Sequence, residues 1–242
     1  MKTIFMSILS YFFREGKFVQ DICNMNEKLV QATLNVYRRI QEDLKPTPAK
    51  SHYTFNLRDV SKVICGICLM EKKELTNPDT AVRLWAHEAT RIFGDRLINE
   101  EDRMWMLGAV TDCVRAPFGS DFNTLFRHLD SNHDGKVDTI DEFRGCLFGD
   151  IYTPFQMRDR DYVEILDKDK LKLCANGALE QYNGNADKPM NLVLFNFAVE
   201  HLLRIGRIIR QPNGHALLVG VGGSGRQSLT RLASAIPDFD VF

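Results

Sequence analysis

Nine residues near the end of the chain limit its fold more than any others: Gly220-Val221-Gly222-Gly223-Ser224-Gly225-Arg226-Gln227-Ser228. They are entered from the apolar run His215-Ala216-Leu217-Leu218-Val219 and followed by Leu229-Thr230-Arg231-Leu232-Ala233. This order predicts a strand, a glycine-rich turn and a helix. Such a turn cradles polyphosphate, because glycines let successive backbone N–H groups converge on one anion while the helix N-terminus adds positive potential. Two positions depart from the pattern Gly-x-x-x-x-Gly-Lys-Ser/Thr. Arg226 stands where a lysine reaches the β- and γ-phosphates, and Gln227 stands where a hydroxyl would hold Mg²⁺. Arginine keeps the charge and can bond phosphate in a bidentate way, whereas glutamine is a neutral amide and a poorer Mg²⁺ ligand, although Ser228 lies one residue on. Binding of ATP or ADP is therefore expected ahead of hydrolysis. The alternative is a glycine-rich turn that holds no ligand.

Hydrolysis needs two further parts, a Mg²⁺-binding aspartate on a later strand and a residue that orients the attacking water. Both would come from sequence beyond Phe242. No catalytic residue is assigned, and a self-contained ATPase is not expected.

The composition, 44% hydrophobic and 26% charged, is that of a globular protein rather than a disordered or fibrous one. A formal net charge of −1 supplies no basic stripe for nucleic acid. The opening Met1-Lys-Thr-Ile-Phe-Met-Ser-Ile-Leu-Ser-Tyr-Phe-Phe13 places a lysine before a short apolar run. Arg14, Glu15 and Lys17 follow with no small-residue cleavage site, and the run is too short to span a bilayer, so a strand or helix end packed in a core is expected and no membrane partner. Six cysteines are scattered, with one close pair, Cys65 and Cys68. No second pair or histidines stand at zinc-ligand spacing, so buried packing among Val60, Ile64, Ile67 and Leu69 is expected, in a reducing and hence cytoplasmic compartment.

Helical periodicity runs from Asn24 to Leu44, with Asn24 and Glu27 as an approximate capping box, and Pro46 and Pro48 end it. Further helices are predicted from about Leu57 to Lys72, from Asp79 to Phe93 and from near Asn99 through Val114. His87-Glu88 opens like a zinc-protease helix, but Arg91 occupies the second histidine's place, which excludes that motif. Residues 151–188 read as mixed and polar. After the break at Asn183-Gly-Asn-Ala-Asp-Lys-Pro189 a long helix is expected from about Met190 to Arg210, then a turn at Gln211-Pro-Asn-Gly214 and the apolar strand. The fold class is mainly α: a helical bundle followed by the opening strand, phosphate loop and helix of an α/β nucleotide-binding domain.

A second candidate site lies at residues 130–142. Asp130, Asn132, Asp134 and Asp138 supply oxygens at positions one, three, five and nine of an EF-hand loop, Lys136 offers its carbonyl at seven, and Gly135 provides the sharp turn. Phe122, Leu125, Phe126 and Leu129 fit the apolar face of an entering helix. Position twelve is Asp141, shorter than the usual glutamate, and Glu142 arrives one residue late, so the loop is either long by one or closed by Asp141. Weak Ca²⁺ binding, with Kd toward the weak end of about 10⁻⁵–10⁻³ M, is one reading. A metal-free turn rich in Asp, Asn and Gly is the other.

Several stretches together resemble an axonemal dynein heavy chain of the inner-arm type. Pro46-Thr-Pro-Ala-Lys50, His52-Tyr-Thr-Phe-Asn-Leu-Arg-Asp59, Leu84-Trp-Ala-His-Glu88, Asp95-Arg-Leu97 and Asn99-Glu-Glu-Asp-Arg103 are similar to the small helical subdomain of that family's third AAA module. Lys188-Pro-Met-Asn-Leu-Val-Leu-Phe195 and the run from His215 to Ala233 are similar to the opening of the fourth. The resemblance implies that residues 1–14 end a preceding large subdomain and that 15–150 form a lid-type bundle. It likewise makes 151–189 a connecting segment and starts the next large subdomain at 190–242. It also implies that Arg226 and Gln227 are the family's own form of the loop, and that Arg58 reaches the nucleotide of its own module; the other reading of Arg58 is an exposed arginine pairing with Asp59 or another acid. The implied setting is an AAA ring within a dynein complex of the cilium or flagellum, meeting microtubules only through parts outside these residues.

Overall fold

The computed structural model describes residues 1–186 and 188–241, which fall into two compact units that divide between Cys146 and Leu147.

The first unit is helical. It comprises α1 (Lys2–Glu15), α2 (Gln20–Asn24), α3 (Asn26–Asp43), α4 (Leu57–Ile67), α5 (Pro78–Phe93), α6 (Glu100–Cys113) and two single turns, α7 (Phe122–Leu125) and α8 (Ile140–Phe143). In α3, Leu29, Val30, Thr33, Val36, Tyr37 and Ile40 recur at helical spacing and are all buried. Thr33 sits in this apolar stripe with its hydroxyl satisfied twice: it donates to Leu29 O at 2.8 Å and accepts from the indole N–H of the fully buried Trp85 at 3.0 Å. Helix α4 starts at Asn56 through a reciprocal capping box with Asp59, and α5 starts at Asn77 with Pro78 in its first turn, where the missing N–H is no loss.

Three details of this unit depart from the sequence expectation. Asn24 and Glu27 form no capping box: α3 begins at Asn26, whose amide is drawn inward to Met6 O and Ser10 Oγ, while Glu27 pairs with Lys2 at 2.7 Å. Helix α4 stops at Ile67, short of Lys72. Cys65 is exposed and Cys68 half-buried, so the pair is only partly core; all six cysteines are free thiols.

The second unit joins a two-stranded sheet to three helices. β1 (Leu147–Gly149) and β2 (Val163–Ile165) pair antiparallel with Phe148 opposite Glu164. α9 (Lys168–Asn185) is capped by Asp167, whose carboxylate accepts from the amides of Asp169 and Lys170. It packs with α10 (Asn196–Arg210) and α11 (Arg226–Ala235) around Leu171, Ala175, Leu202, Leu203, Leu232 and Ile236. Residues 190–195, expected to begin the long helix, form no regular element, and α10 starts only at Asn196. The Asn183 side chain takes both backbone groups of Met190, accepting from its N–H at 2.8 Å and donating to its carbonyl at 3.0 Å, and so replaces the bonds a helix would make. Residues 215–221, expected to be a strand, are exposed and pair in no sheet among the described residues. No helix among the described residues is long and apolar enough to cross a membrane.

Candidate functional site

The glycine-rich turn leads directly into α11. Gly223 and Gly225 have φ of +77° and +73°, the left-handed region where a Cβ is strained, and Gly225 is the residue from which α11 starts. The Leu192 side chain lies over Gly225, at 3.6 Å from the position a Cβ would take, so the segment 190–195 borders the turn. Among the described residues, none of the backbone N–H groups of residues 220–228 donates a hydrogen bond; the first bonded amide is Leu229, to Gly225 O at 2.8 Å. The start of α11 has no side-chain cap and no acidic residue in its first turn. A run of unpaired, outward-facing N–H groups at a helix N-terminus is what an anion needs.

Arg226 opens α11 and folds back over the turn, donating to Leu218 O at 3.3 Å and Val221 O at 3.1 Å. Its guanidinium thus lies on the turn itself, within reach of any phosphate held there. Gln227 is exposed and Ser228 half-buried, and neither makes a side-chain hydrogen bond among the described residues. The hydroxyls of Ser224 and Ser228 flank the start of α11.

Arg58 sits in the first turn of α4. Its amide donates to Asn56 Oδ1 at 2.8 Å, while its side chain is exposed and has no partner among the described residues. The alternative pairing with Asp59 does not occur, because Asp59 is buried and its carboxylate is held by Arg96.

The EF-hand-like loop does not assemble a metal site: among the described residues no three His, Cys, Asp or Glu side chains are placed to hold an ion. Several of its oxygens bond within the loop, while Asp130 Oδ1 is buried without a hydrogen-bond partner among the described residues. Asp130 Oδ2 accepts from Gly135 N at 2.9 Å, Asn132 and Asp134 bond to each other's amide groups, and Asp134 Oδ1 accepts from Lys136 N at 2.8 Å. Asp138 and the Lys136 side chain are exposed, and the Asp141 side chain is 90% exposed beside Arg144. Glu142 is buried and works as a brace: Oε1 accepts from the amide and hydroxyl of Ser131, and Oε2 from the Thr139 hydroxyl at 2.9 Å. The Thr139 bond holds its carboxyl below the usual range, with Ser131 helping against burial. The expected flanking helices are single turns, and the exiting one gives way to β1 at Leu147. In this arrangement the loop is an internally bonded turn, and calcium ligation gains no support from it.

A polar cluster in the second unit had no signal in the sequence. Arg160, 2% exposed, is enclosed by the segment between β1 and β2 and by the end of α11, with Asp150 and Arg210 beside it. Burial pushes its guanidinium below the ordinary value, and Asp150 opposes that shift. A cavity of about 210 Å³ adjoins the cluster, lined in part by Leu203, Gly206 and Phe239.

Comparisons with known proteins agree with this arrangement. The family "Dynein heavy chain, ATPase lid domain" matches residues 8–103, and "P-loop containing dynein motor region D4" matches residues 190–242. Dynein axonemal heavy chain 12 of Mus musculus is 42% identical over the whole chain. Dynein axonemal heavy chain 3 of Homo sapiens is 39% identical over 99% of it, and dynein axonemal heavy chain 1 of Mus musculus 41% over 92%. The chain spans 8%, 6% and 5% of those relatives' lengths. With its helical first unit matching the lid and its phosphate loop matching D4, the chain belongs to the axonemal dynein heavy chains.

Proposed function

We propose that the chain supplies a lid and the phosphate-binding opening of the next module to an AAA ring motor, and that residues 220–228 bind ATP or ADP. The observation that carries this reading is the set of unpaired N–H groups between left-handed Gly223 and Gly225 and the first turn of α11. The amides hold the β-phosphate region, and Arg226 leaves the carbonyls of Leu218 and Val221 to meet the terminal phosphate in a bidentate way. Gln227 stands in place of the Mg²⁺-binding hydroxyl, so the turn favours binding of nucleotide over its hydrolysis.

Arg58, exposed and without a side-chain partner among the described residues, reaches the nucleotide of the module whose lid it belongs to. Residues 1–14 end that module's large subdomain, 15–150 form its lid, 151–189 connect, and 190–242 begin the next module. The working partners are the rest of the heavy-chain ring and the dynein complex of the cilium or flagellum, with microtubules met through other parts of such a chain.

Titration of the 242-residue chain with a fluorescent ADP analogue tests the reading. Saturable binding by the parent, weakened about tenfold or more by Arg226→Ala as expected for loss of a charge-assisted phosphate bond, supports it. A folded parent that binds no nucleotide would sink it.

A further inference from the structure

The cluster around Arg160 takes no part in the phosphate loop, yet it grips the far end of the helix that the loop feeds. Every guanidinium N–H of Arg160 is used. Nε donates to Asp150 Oδ2 at 3.1 Å, Nη1 to the carbonyls of Pro154 (2.7 Å), Met157 (3.2 Å) and Ile236 (3.2 Å), and Nη2 to those of Asp150 and Thr153, both at 2.9 Å. Arg210 reinforces the same point, donating to Asp150 Oδ2 at 3.3 Å and to the carbonyl of Arg160. Ile236, the residue immediately after α11, also accepts from Gln156 N at 2.8 Å.

Helix α11 is ten residues long, about 15 Å. Leu229, Leu232 and Ala233 bury its side against the unit's core. Apolar burial has no direction of its own, so it tolerates sliding and rotation of the helix, whereas hydrogen bonds do not. At the loop end no amide of residues 220–228 is bonded among the described residues, and the directional bonds there are those Arg226 makes to its own turn; the bonds that anchor the helix to the rest of the unit meet it at Ile236. The height and rotation of Arg226 and of the free amides are therefore set from 15 Å away, on the order of three turns.

We infer that Arg160 is a positioning residue for the phosphate loop, fixing the register of α11 through the Ile236 carbonyl so that the amides and Arg226 converge on one anion. This deepens the nucleotide-binding reading and rests on it.

The test uses the 242-residue chain with Arg160→Ala and Arg160→Lys, read by amide hydrogen exchange without nucleotide and by fluorescent ADP binding. Arg160→Ala raises exchange at the start of α11 and weakens binding, each about tenfold, while α3 and α5 keep their protection. Added methylguanidinium, which refills the carbonyl cage, restores both; methylammonium does not. Arg160→Lys behaves like the alanine variant, since an ammonium offers three donors against six acceptors. Unchanged exchange and binding overturn the inference, and so does a loss of protection that spreads to α3 and α5 and resists methylguanidinium. If the parent binds no ADP, the nucleotide reading fails by itself, and the exchange pattern alone decides the positioning role.

Discussion

The carboxylate of Glu88 occupies the space in which a Cβ on Gly66 would sit. Helices α4 and α5 therefore meet at a glycine, with a fully buried acid laid against bare backbone. Gly66→Ala should destabilise the first unit by about 1–2 kcal/mol, because overpacking of about 1–3 kcal/mol outweighs the gain of up to about 1 kcal/mol from helix propensity. Gly108 in α6 has nothing within 4 Å of its virtual Cβ, so Gly108→Ala should stabilise by about 0.5–1 kcal/mol. Urea denaturation of the two variants measures both; equal signs would contradict the packing described.

Asp102 accepts from Lys50 at 2.6 Å and from the buried Tyr53 hydroxyl at 2.7 Å. Burial raises the carboxyl's pKa, but the bonds from Lys50 and Tyr53 outweigh it and the net shift is downward. A depressed folded pKa means stability that is present above the unfolded value and lost as pH falls through the folded one. Asp102→Asn should therefore lower the urea midpoint at neutral pH, and the gap should close in acid. The Lys50 ammonium is raised by the same bond, so its share is present below the ordinary lysine value and lost in strong alkali. A gap independent of pH would rule out the charge as its source.

Gly223 needs its left-handed backbone and Gly222 does not, and neither has neighbours within 4 Å of a virtual Cβ. Gly223→Ala should strain the turn by about 1–2 kcal/mol and weaken ADP binding about tenfold, with Gly222→Ala milder. Fluorescence titration of the pair distinguishes backbone strain from simple loss of space.

Burial pushes the Cys68 thiol up to about 12, with Cys65 adding to it, and the Cys113 thiol up to about 11. Their thiolate fractions at neutral pH are on the order of 10⁻⁵ and 10⁻⁴, so the exposed Cys65 should be alkylated well before either. Mass spectrometry of a timed iodoacetamide reaction checks the order, and early labelling of Cys68 would show that α4 frays.

Much of the first unit was legible from period and caps. Trp85, Ala89 and Phe93 in α5 and the α3 stripe declare their buried face by spacing alone. Helix α9 hid because its buried positions are few and small, Leu171, Ala175, Ala178 and Leu179, on an otherwise polar helix. The turn at Gly223 and Gly225 was readable because left-handed backbone nearly demands glycine. The Asp130 loop reads two ways for a related reason: the same Asp, Asn and Gly residues that ligate calcium also satisfy a tight turn by themselves, and here Glu142 adds bonds to Ser131 and Thr139. Arg160 carried no signal, since a charged residue in a polar stretch gives no hint that distant carbonyls will enclose it.

Residues 215–221 carry a practical liability. They combine four exposed branched aliphatic side chains, Leu217, Leu218, Val219 and Val221, with no proline, no carboxylate, and a backbone bonded among the described residues by the Arg226 side chain at Leu218 and Val221 rather than by a sheet ladder. A stretch of that kind seeds cross-β stacking when molecules are crowded together. Concentrated preparations of the chain would fibrillise from this point first, and a lysine on either aliphatic face would act as a gatekeeper.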